Sequence, residues 1–140
     1  METTDGEKEQ TGKDLIDLRT RTKAYAIRII RLYAELPKSV PAQVIGKQML
    51  RAGTSVGTHY REATRAKSNP DFVNKLKGAL QELDETHYWI ELLVDTKLIA
   101  EQRLTNLLSE SDELICIFVT MVKKTKSRQT YPSKSSPANT

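Results

Sequence analysis

Apolar residues recur along most of the chain at alternating steps of three and four, the spacing that places side chains on one face of an α-helix. The first run is Leu15, Leu18, Thr22, Tyr25, Ile29, Leu32 and Leu36. Pro37 and Pro41 bracket a short Lys38-Ser39-Val40 link. A proline disfavours helical geometry at the residue before it yet fits a first helical turn, so a second helix begins near Pro41. It carries Ile45, Met49, Ala52, Val56, Tyr60 and Ala63 on one stripe. Ser68-Asn69-Pro70 closes it and opens a third helix, with Ser68 or Asn69 as the cap and Pro70 in the first turn. The third stripe is Val73, Leu76, Leu80, Leu83, His87, Ile90 and Val94, widened by Phe72, Ala79, Trp89 and Leu93. After Thr96-Lys97 the chain turns, and a fourth stripe follows: Leu104, Leu108, Ser111, Ile115, Phe118 and Val122.

These patterns predict helices over about 14–36, 41–67, 70–96 and 101–126. At a rise of about 1.5 Å per residue they are of similar length, and their short connections favour antiparallel neighbours. The expected fold is all-α, an antiparallel up-down-up-down four-helix bundle over residues 14–126. Residues 1–13 have no aliphatic side chain after Met1 and read as a flexible acidic tail. Residues 127–140, rich in Ser, Thr and Pro, read as a second flexible tail.

Composition narrows the class further. Of 140 residues, 38% are hydrophobic and 29% charged, enough apolar content for a core. No apolar run approaches the ~20 residues that span a bilayer, and METTDGEKEQ lacks the makeup of a signal peptide, so a cytoplasmic location is expected. The lone Cys116 excludes an internal disulfide and a Cys-rich zinc site; on a buried helix it is expected to be a small apolar filler.

The net charge of +4 conceals a division. Residues 1–14 carry −3, the first two helices with their link (15–67) carry +8, residues 68–113 carry −6 and residues 114–140 carry +5. On the second helix Lys47, Arg51, Thr54, Thr58, Arg61 and Arg65 follow steps of four and three and share one face. Arg21, Arg28 and Arg31 form a stripe on the first helix, and an antiparallel hairpin would let the two stripes merge. Arg and Lys neutralise phosphates and Thr hydroxyls donate to phosphate oxygens, which suits a nucleic-acid backbone, RNA or DNA. No base-reading motif accompanies them, and a basic helix face is commonly just solvated. The same charge division also suits a head-to-tail ring, in which the basic hairpin of one subunit meets the acidic third helix of the next.

Other constellations carry less. Gly53-Thr54-Ser55-Val56-Gly57 lacks the G-x-x-x-x-G-K-[ST] arrangement of a phosphate loop; two glycines four apart instead let a neighbouring helix approach closely. Asp84-x-x-His87 has the carboxylate-x-x-His spacing of di-iron bundles, but those need the pair on two helices, and Val56 stands three residues before His59. His87 reads as a hydrogen-bonded seam residue. Glu82, Glu85, Glu91 and Asp95 read as salt-bridge or interface acids. No catalytic residue, metal site or cofactor is expected, and the chain does not read as an enzyme.

The stretch from Gly46 to Ala63 (GKQMLRAGTSVGTHYREA), the stretch from Glu82 to Leu93 (ELDETHYWIELL), the opening Leu18-Arg19-Thr20-Arg21-Thr22-Lys23 and the Ser68-x-x-Asp71-Phe72 junction together resemble the four-helix-bundle family of bacterial 23S rRNA intervening-sequence proteins. The resemblance spans about Leu18 to Lys124. It implies a bundle that assembles into a cyclic homopentamer. It also implies kinship to the accessory protein of diversity-generating retroelements, which binds nucleic acid and a reverse transcriptase. No catalytic residues come with it. The chain departs from the family pattern at Lys97, where a glycine would be expected at the end of the third helix, and in its tails. The expected function is therefore a non-catalytic, oligomeric, nucleic-acid-binding scaffold. The competing reading is a protein-interaction ring whose charged faces serve only assembly or the docking of a partner.

Overall fold

The computed structural model describes the backbone of residues 2–135 and the side chains of residues 18–128. Four α-helices follow one another: α1 (Glu2–Ala34), α2 (Val40–Ala63), α3 (Asn69–Asp95) and α4 (Thr105–Ser135), with a 3-10 turn at Glu101–Arg103 before α4. No strand occurs among the described residues. The helical backbone runs beyond the expected bounds of 14 and 126, from Glu2 in α1 and to Ser135 in α4; of the side chains expected in the two tails only Ser127 and Arg128, both exposed, are among the described residues.

The helix boundaries have local causes. Ser39 caps α2, its hydroxyl accepting from Ala42 N, and Pro41 sits in the first turn. Ser68 caps α3 by accepting from Asp71 N at 3.2 Å, while Asp71 Oδ2 accepts from Lys67 N, also at 3.2 Å. The expected end of α2 at 67 is corrected to Ala63. Arg65 N and Ala66 N bond to carbonyls only three residues back, and the Thr64 hydroxyl donates to Arg61 O, so the chain tightens and leaves the helix. The expected start of the last helix at 101 is likewise corrected. Leu104, at φ −110, separates the 3-10 turn from α4 while its side chain stays in the core.

At the end of α3, Lys97 takes φ +63. Leu98 N bonds to Leu93 O at 3.0 Å and Lys97 N to Val94 O at 2.9 Å, the paired bonds of a Schellman cap. This is the position where a glycine was expected, and the lysine adopts the glycine conformation.

Cross-helix contacts fix the direction of each neighbour. A Cβ on Gly57 would meet Thr22, one on Gly53 would meet Ile29, and one on Gly46 would meet Tyr33 and Leu36. Partners on α1 thus ascend as those on α2 descend. His59 lies on Gly78 and Arg51 reaches Glu82 and Glu85, so α3 reverses again. His87 faces Asp112 of α4. α1 meets α4 less than the other neighbouring helices meet, through Arg21 and Tyr25, and Glu35 just beyond α1 pairs with Arg103 of the 3-10 turn. The result is an antiparallel four-helix bundle.

The core follows the stripes. Leu18, Thr22, Tyr25, Ile29, Leu32 and Leu36 are all buried, as are Met49, Val56, Tyr60, Leu76, Leu83, Ile90, Leu114 and Phe118. Buried hydroxyls are satisfied locally: Thr22 donates to Leu18 O, Thr86 to Glu82 O, and Tyr25 and Ser111 bond to each other. Cys116 is exposed, correcting the expectation of a buried filler. It lies two residues before the buried Phe118, and a two-residue step along a helix turns a side chain to the far side.

Candidate nucleic-acid interface

Helical rotation decides which cations share a surface. Gly53 and Gly57 face α1, whereas His59 faces Gly78 of α3. Thr54 and Thr58 each follow one of these glycines, which turns them outward on the α1 side of α2, and Lys47, Arg61 and Arg65 lie on the same strip. Lys47, Thr58 and Arg65 are exposed, while Arg61 and Thr54 are half-buried. The Thr54 hydroxyl donates to Leu50 O at 2.8 Å.

Arg51 does not stay with this strip. It turns to α3, where Nη2 donates to Glu85 Oε1 at 2.8 Å and Nη1 lies 3.7 Å from Glu82 Oε1. Arg21 turns the other way, to α4. Its Nε and Nη2 donate to the two oxygens of Glu110 at 3.0 and 2.7 Å, and Nη2 also reaches Glu113 at 3.0 Å. The hydrogen bond to Glu110 holds the guanidinium pKa above its already high ordinary value, although partial burial opposes it. Arg28 and Arg31 are exposed on α1. The two stripes expected to merge therefore do not: Arg21 lies on the α4 side of α1, and the basic strip of α2 borders the opposite side.

The α1 cations that do border the α2 strip are Arg19 and Lys23. Each follows a residue that faces inward, Leu18 or Thr22, and Thr22 touches Gly57. The charge of Arg19 reaches Tyr60 of α2, whose pKa is raised by burial and opposed by that arginine. The sequence held a signal, the i, i+4 spacing of Arg19 and Lys23, but not the side toward which the hairpin turns. Among the described residues, Arg19, Lys23, Arg28, Arg31, Lys47, Arg61 and Arg65 have no carboxylate partner.

The antiparallel path also re-sorts the charge. By segment the chain divides into a basic hairpin and an acidic third helix; in the bundle, described cations from all four helices collect at one end. The end that holds the α2–α3 turn gathers Arg19 and Lys23, Arg61, Arg65 and Lys67, Lys75 and Lys77, and the α4 residues Lys123, Lys124, Lys126 and Arg128. The described carboxylates at that end are Glu62 and Asp71. Of the acids read as salt-bridge or interface residues, Glu82 and Glu85 pair with Arg51 of the same chain, while Glu110 and Glu113 of α4 pair with Arg21.

The α2/α3 seam holds a polar cluster of another kind. His59 Nε2 lies 3.7 Å from Glu82, and Nδ1 lies 3.8 Å from Glu62, which Lys75 approaches at 3.8 Å. The two carboxylates approach opposite ring nitrogens and so cannot converge on one ion. Among the described residues no group of three His, Cys, Asp or Glu side chains is placed to hold a metal. His87 sits in the α3/α4 seam between Glu91 at 3.6 Å and Asp112 at 3.5 Å, the seam position read for it. No described helix is long and apolar enough to cross a membrane.

Residues 16–119 match the family described as 23S rRNA-intervening sequence protein, and the chain belongs to that family. A solved structure of a protein of unknown function from the S23 ribosomal protein family of Bacteroides thetaiotaomicron is similar, with 37% identity and a TM-score of 0.73. The alignment covers 78% of this chain and 97% of that one. No curated protein matches significantly.

Proposed function

We propose that this member of the 23S rRNA-intervening sequence protein family is a non-catalytic scaffold that binds the phosphate backbone of RNA or DNA. The observation that carries the proposal is the outward strip of Arg61 and Arg65 on α2 beside Arg19 and Lys23 on α1, cations without carboxylate partners among the described residues. Lys47, Thr54 and Thr58 continue the strip along α2, and Arg28 and Arg31 add charge on the far side of α1. Such groups position a backbone and read no base. Affinity should therefore fall steeply with salt, with a log-log slope of about −0.9 per phosphate neutralised on duplex DNA.

The test is a titration of purified protein against structured RNA, single-stranded DNA and duplex DNA at several salt concentrations. Replacing Arg61 and Arg65 by Ala should flatten the slope by about two and weaken all sequences alike. Salt-insensitive binding, or none, overturns the function.

A second reading, a closed homo-oligomer of five subunits, is favoured by a separate observation: Ile27, Ile30, Val40, Val44 and Tyr88 are exposed on the single chain. Such an assembly is compatible with nucleic-acid binding and leaves room for a protein partner, a reverse transcriptase among the candidates. Light scattering at micromolar concentration distinguishes it from a monomer of 15.9 kDa.

A further inference from the structure

Near the α2–α3 turn the four helices stand side by side, and specific contacts fix their relative level. Thr22 of α1 lies against Gly57, Tyr60 of α2 stacks on Phe118 of α4 with ring centroids 5.8 Å apart, and Lys75 of α3 reaches Glu62 of α2 at 3.8 Å. Around this level stand Arg19 on α1, Arg61 and Arg65 on α2, and Lys67 in the turn. Lys123 and Lys124 follow on α4, between one and two turns past the buried Phe118, where helical rotation has carried them away from the core; both are exposed.

The turn is held by its own hydrogen bonds. The Thr64 hydroxyl donates to Arg61 O, Arg65 N to Glu62 O and Ala66 N to Ala63 O, so Arg65 and Lys67 are displayed on a fixed backbone. The described carboxylates at this level are already engaged. Glu62 lies beside His59 and Lys75, and Asp71 accepts the Lys67 backbone N–H. The chain has no Asp or Glu after Glu113, so nothing on the same stretch of α4 neutralises Lys123 or Lys124.

Neighbouring contacts run from α1 to α2, α2 to α3, α3 to α4 and α4 back to α1, which puts α2 and α4 at opposite corners. Helix axes pack about 8–10 Å apart, so cations on those outer corners are separated by roughly 20 Å of packed protein. A straight duplex laid on the α1/α2 flank meets Arg19, Arg61 and Arg65 and does not also touch α4. Arms that diverge from one branch point can pass both flanks, and their covalent linkage makes the second contact intramolecular.

We propose that these cations form a basic belt that recognises a branched nucleic acid, a junction whose arms pass the bundle on its α1/α2 and α4 flanks, in preference to a straight duplex. This rests on the backbone-binding function above and names its substrate class. The α1/α2 cations hold one arm, Lys123 and Lys124 hold another, and Lys67 stands at the turn near the branch point.

The test compares an immobile four-way DNA junction with a straight duplex of equal total length, each titrated with the full-length protein at several salt concentrations. Wild-type protein should hold the junction at least tenfold tighter at low salt, with a log-log slope steeper by about two, one for each α4 lysine engaged. Lys123→Gln/Lys124→Gln should bring the junction to within about twofold of the straight duplex, and leave the straight duplex within about twofold of its wild-type affinity. Arg61→Ala/Arg65→Ala should weaken both DNAs. Equal wild-type affinity for junction and duplex overturns the belt and leaves backbone binding standing. A junction preference that survives Lys123→Gln/Lys124→Gln overturns the role of α4 and assigns the preference to assembly. Binding to neither DNA overturns the underlying function and the belt with it. Polyglutamate that displaces the junction as readily as unlabelled junction does identifies a surface for acidic protein, and overturns the nucleic-acid assignment.

Discussion

Arg21 of α1 grips Glu110 of α4 with two parallel hydrogen bonds, Nε to Oε2 at 3.0 Å and Nη2 to Oε1 at 2.7 Å, with both side chains about one-fifth exposed. The fork-to-carboxylate geometry occurs between α1 and α4, which otherwise meet less than the other neighbouring helices. It makes a side chain that looks like a phosphate ligand in the sequence into a strut of the bundle. Replacing Arg21 by Ala should cost about 1 kcal/mol in chemical denaturation, because Glu110 is left without its partner. The salt slope of nucleic-acid binding should not move. Arg21→Lys should recover only part of the stability, since an ammonium cannot span both oxygens. A flattened slope in either variant would return Arg21 to the binding surface.

The glycines of α2 should separate by position. A Cβ on Gly53 would stand 2.8 Å from Ile29 Cγ1 and 3.2 Å from its Cβ, atoms near the backbone of a fully buried residue that cannot swing away. Gly53→Ala should therefore destabilise by roughly 1 to 3 kcal/mol, overcoming the ~1 kcal/mol gain in helix propensity. A Cβ on Gly57 would lie 3.2 Å from the Thr22 hydroxyl and 3.5 Å from its Cβ, a contact that a small adjustment relieves. Gly57→Ala should fall within about 0.5 kcal/mol of neutral, propensity offsetting crowding. Equal losses at the two positions would contradict the packing described here.

Lys97 offers the opposite sign. At φ +63 a lysine crowds its Cβ against the backbone, and glycine does not. The side chain is exposed and takes part in none of the bonds that close the cap. Lys97→Gly should therefore raise stability by about 1 kcal/mol, a melting temperature higher by a few degrees. An unchanged or lowered midpoint would mean that the lysine side chain contributes more than its backbone strain costs.

Tyr25 ties pH to folding. Its hydroxyl bonds to Ser111 in the bundle interior, and burial pushes its pKa up from 10 to about 12. The folded state therefore keeps the phenol proton after the unfolded chain has lost it. The contribution is fully present below pH 10 and is lost as pH rises from 10 to 12, at most roughly 3 kcal/mol in all. Tyr25→Phe should cost about 1 to 2 kcal/mol at neutral pH by leaving Ser111 unpaired. Its stability should then decline less steeply than that of wild type across the alkaline range. Parallel alkaline profiles for the two proteins would exclude this coupling.

Much of the architecture was legible in one dimension because helix burial has a fixed period. The three-four stripes named Leu18, Tyr25, Met49, Leu83 and Phe118 as interior residues, Ser68 and Pro70 marked the start of α3, and the spacing of Gly53 and Gly57 announced a close neighbour. Gly46 and Gly78 carried no such signal, being single glycines whose partners, Tyr33 with Leu36 and His59, lie on other helices. The candidate surface was less legible. A spacing pattern groups residues on one helix but does not tell which side of that helix the next one covers. Arg51 and Thr54 share a stripe in the sequence, yet the packing of α3 draws Arg51 to Glu85 and leaves Thr54 beside α1. Arg21, Arg28 and Arg31 share another, and α4 takes Arg21. The charge map changed for the same reason: antiparallel reversal places the end of α2, the start of α3 and the end of α4 side by side. The sequence by itself determined the helices and the residues each buries, because both follow from local periodicity. Only the tertiary structure decided which cations meet carboxylates and which face solvent, because that depends on the order and rotation of helices around a shared core.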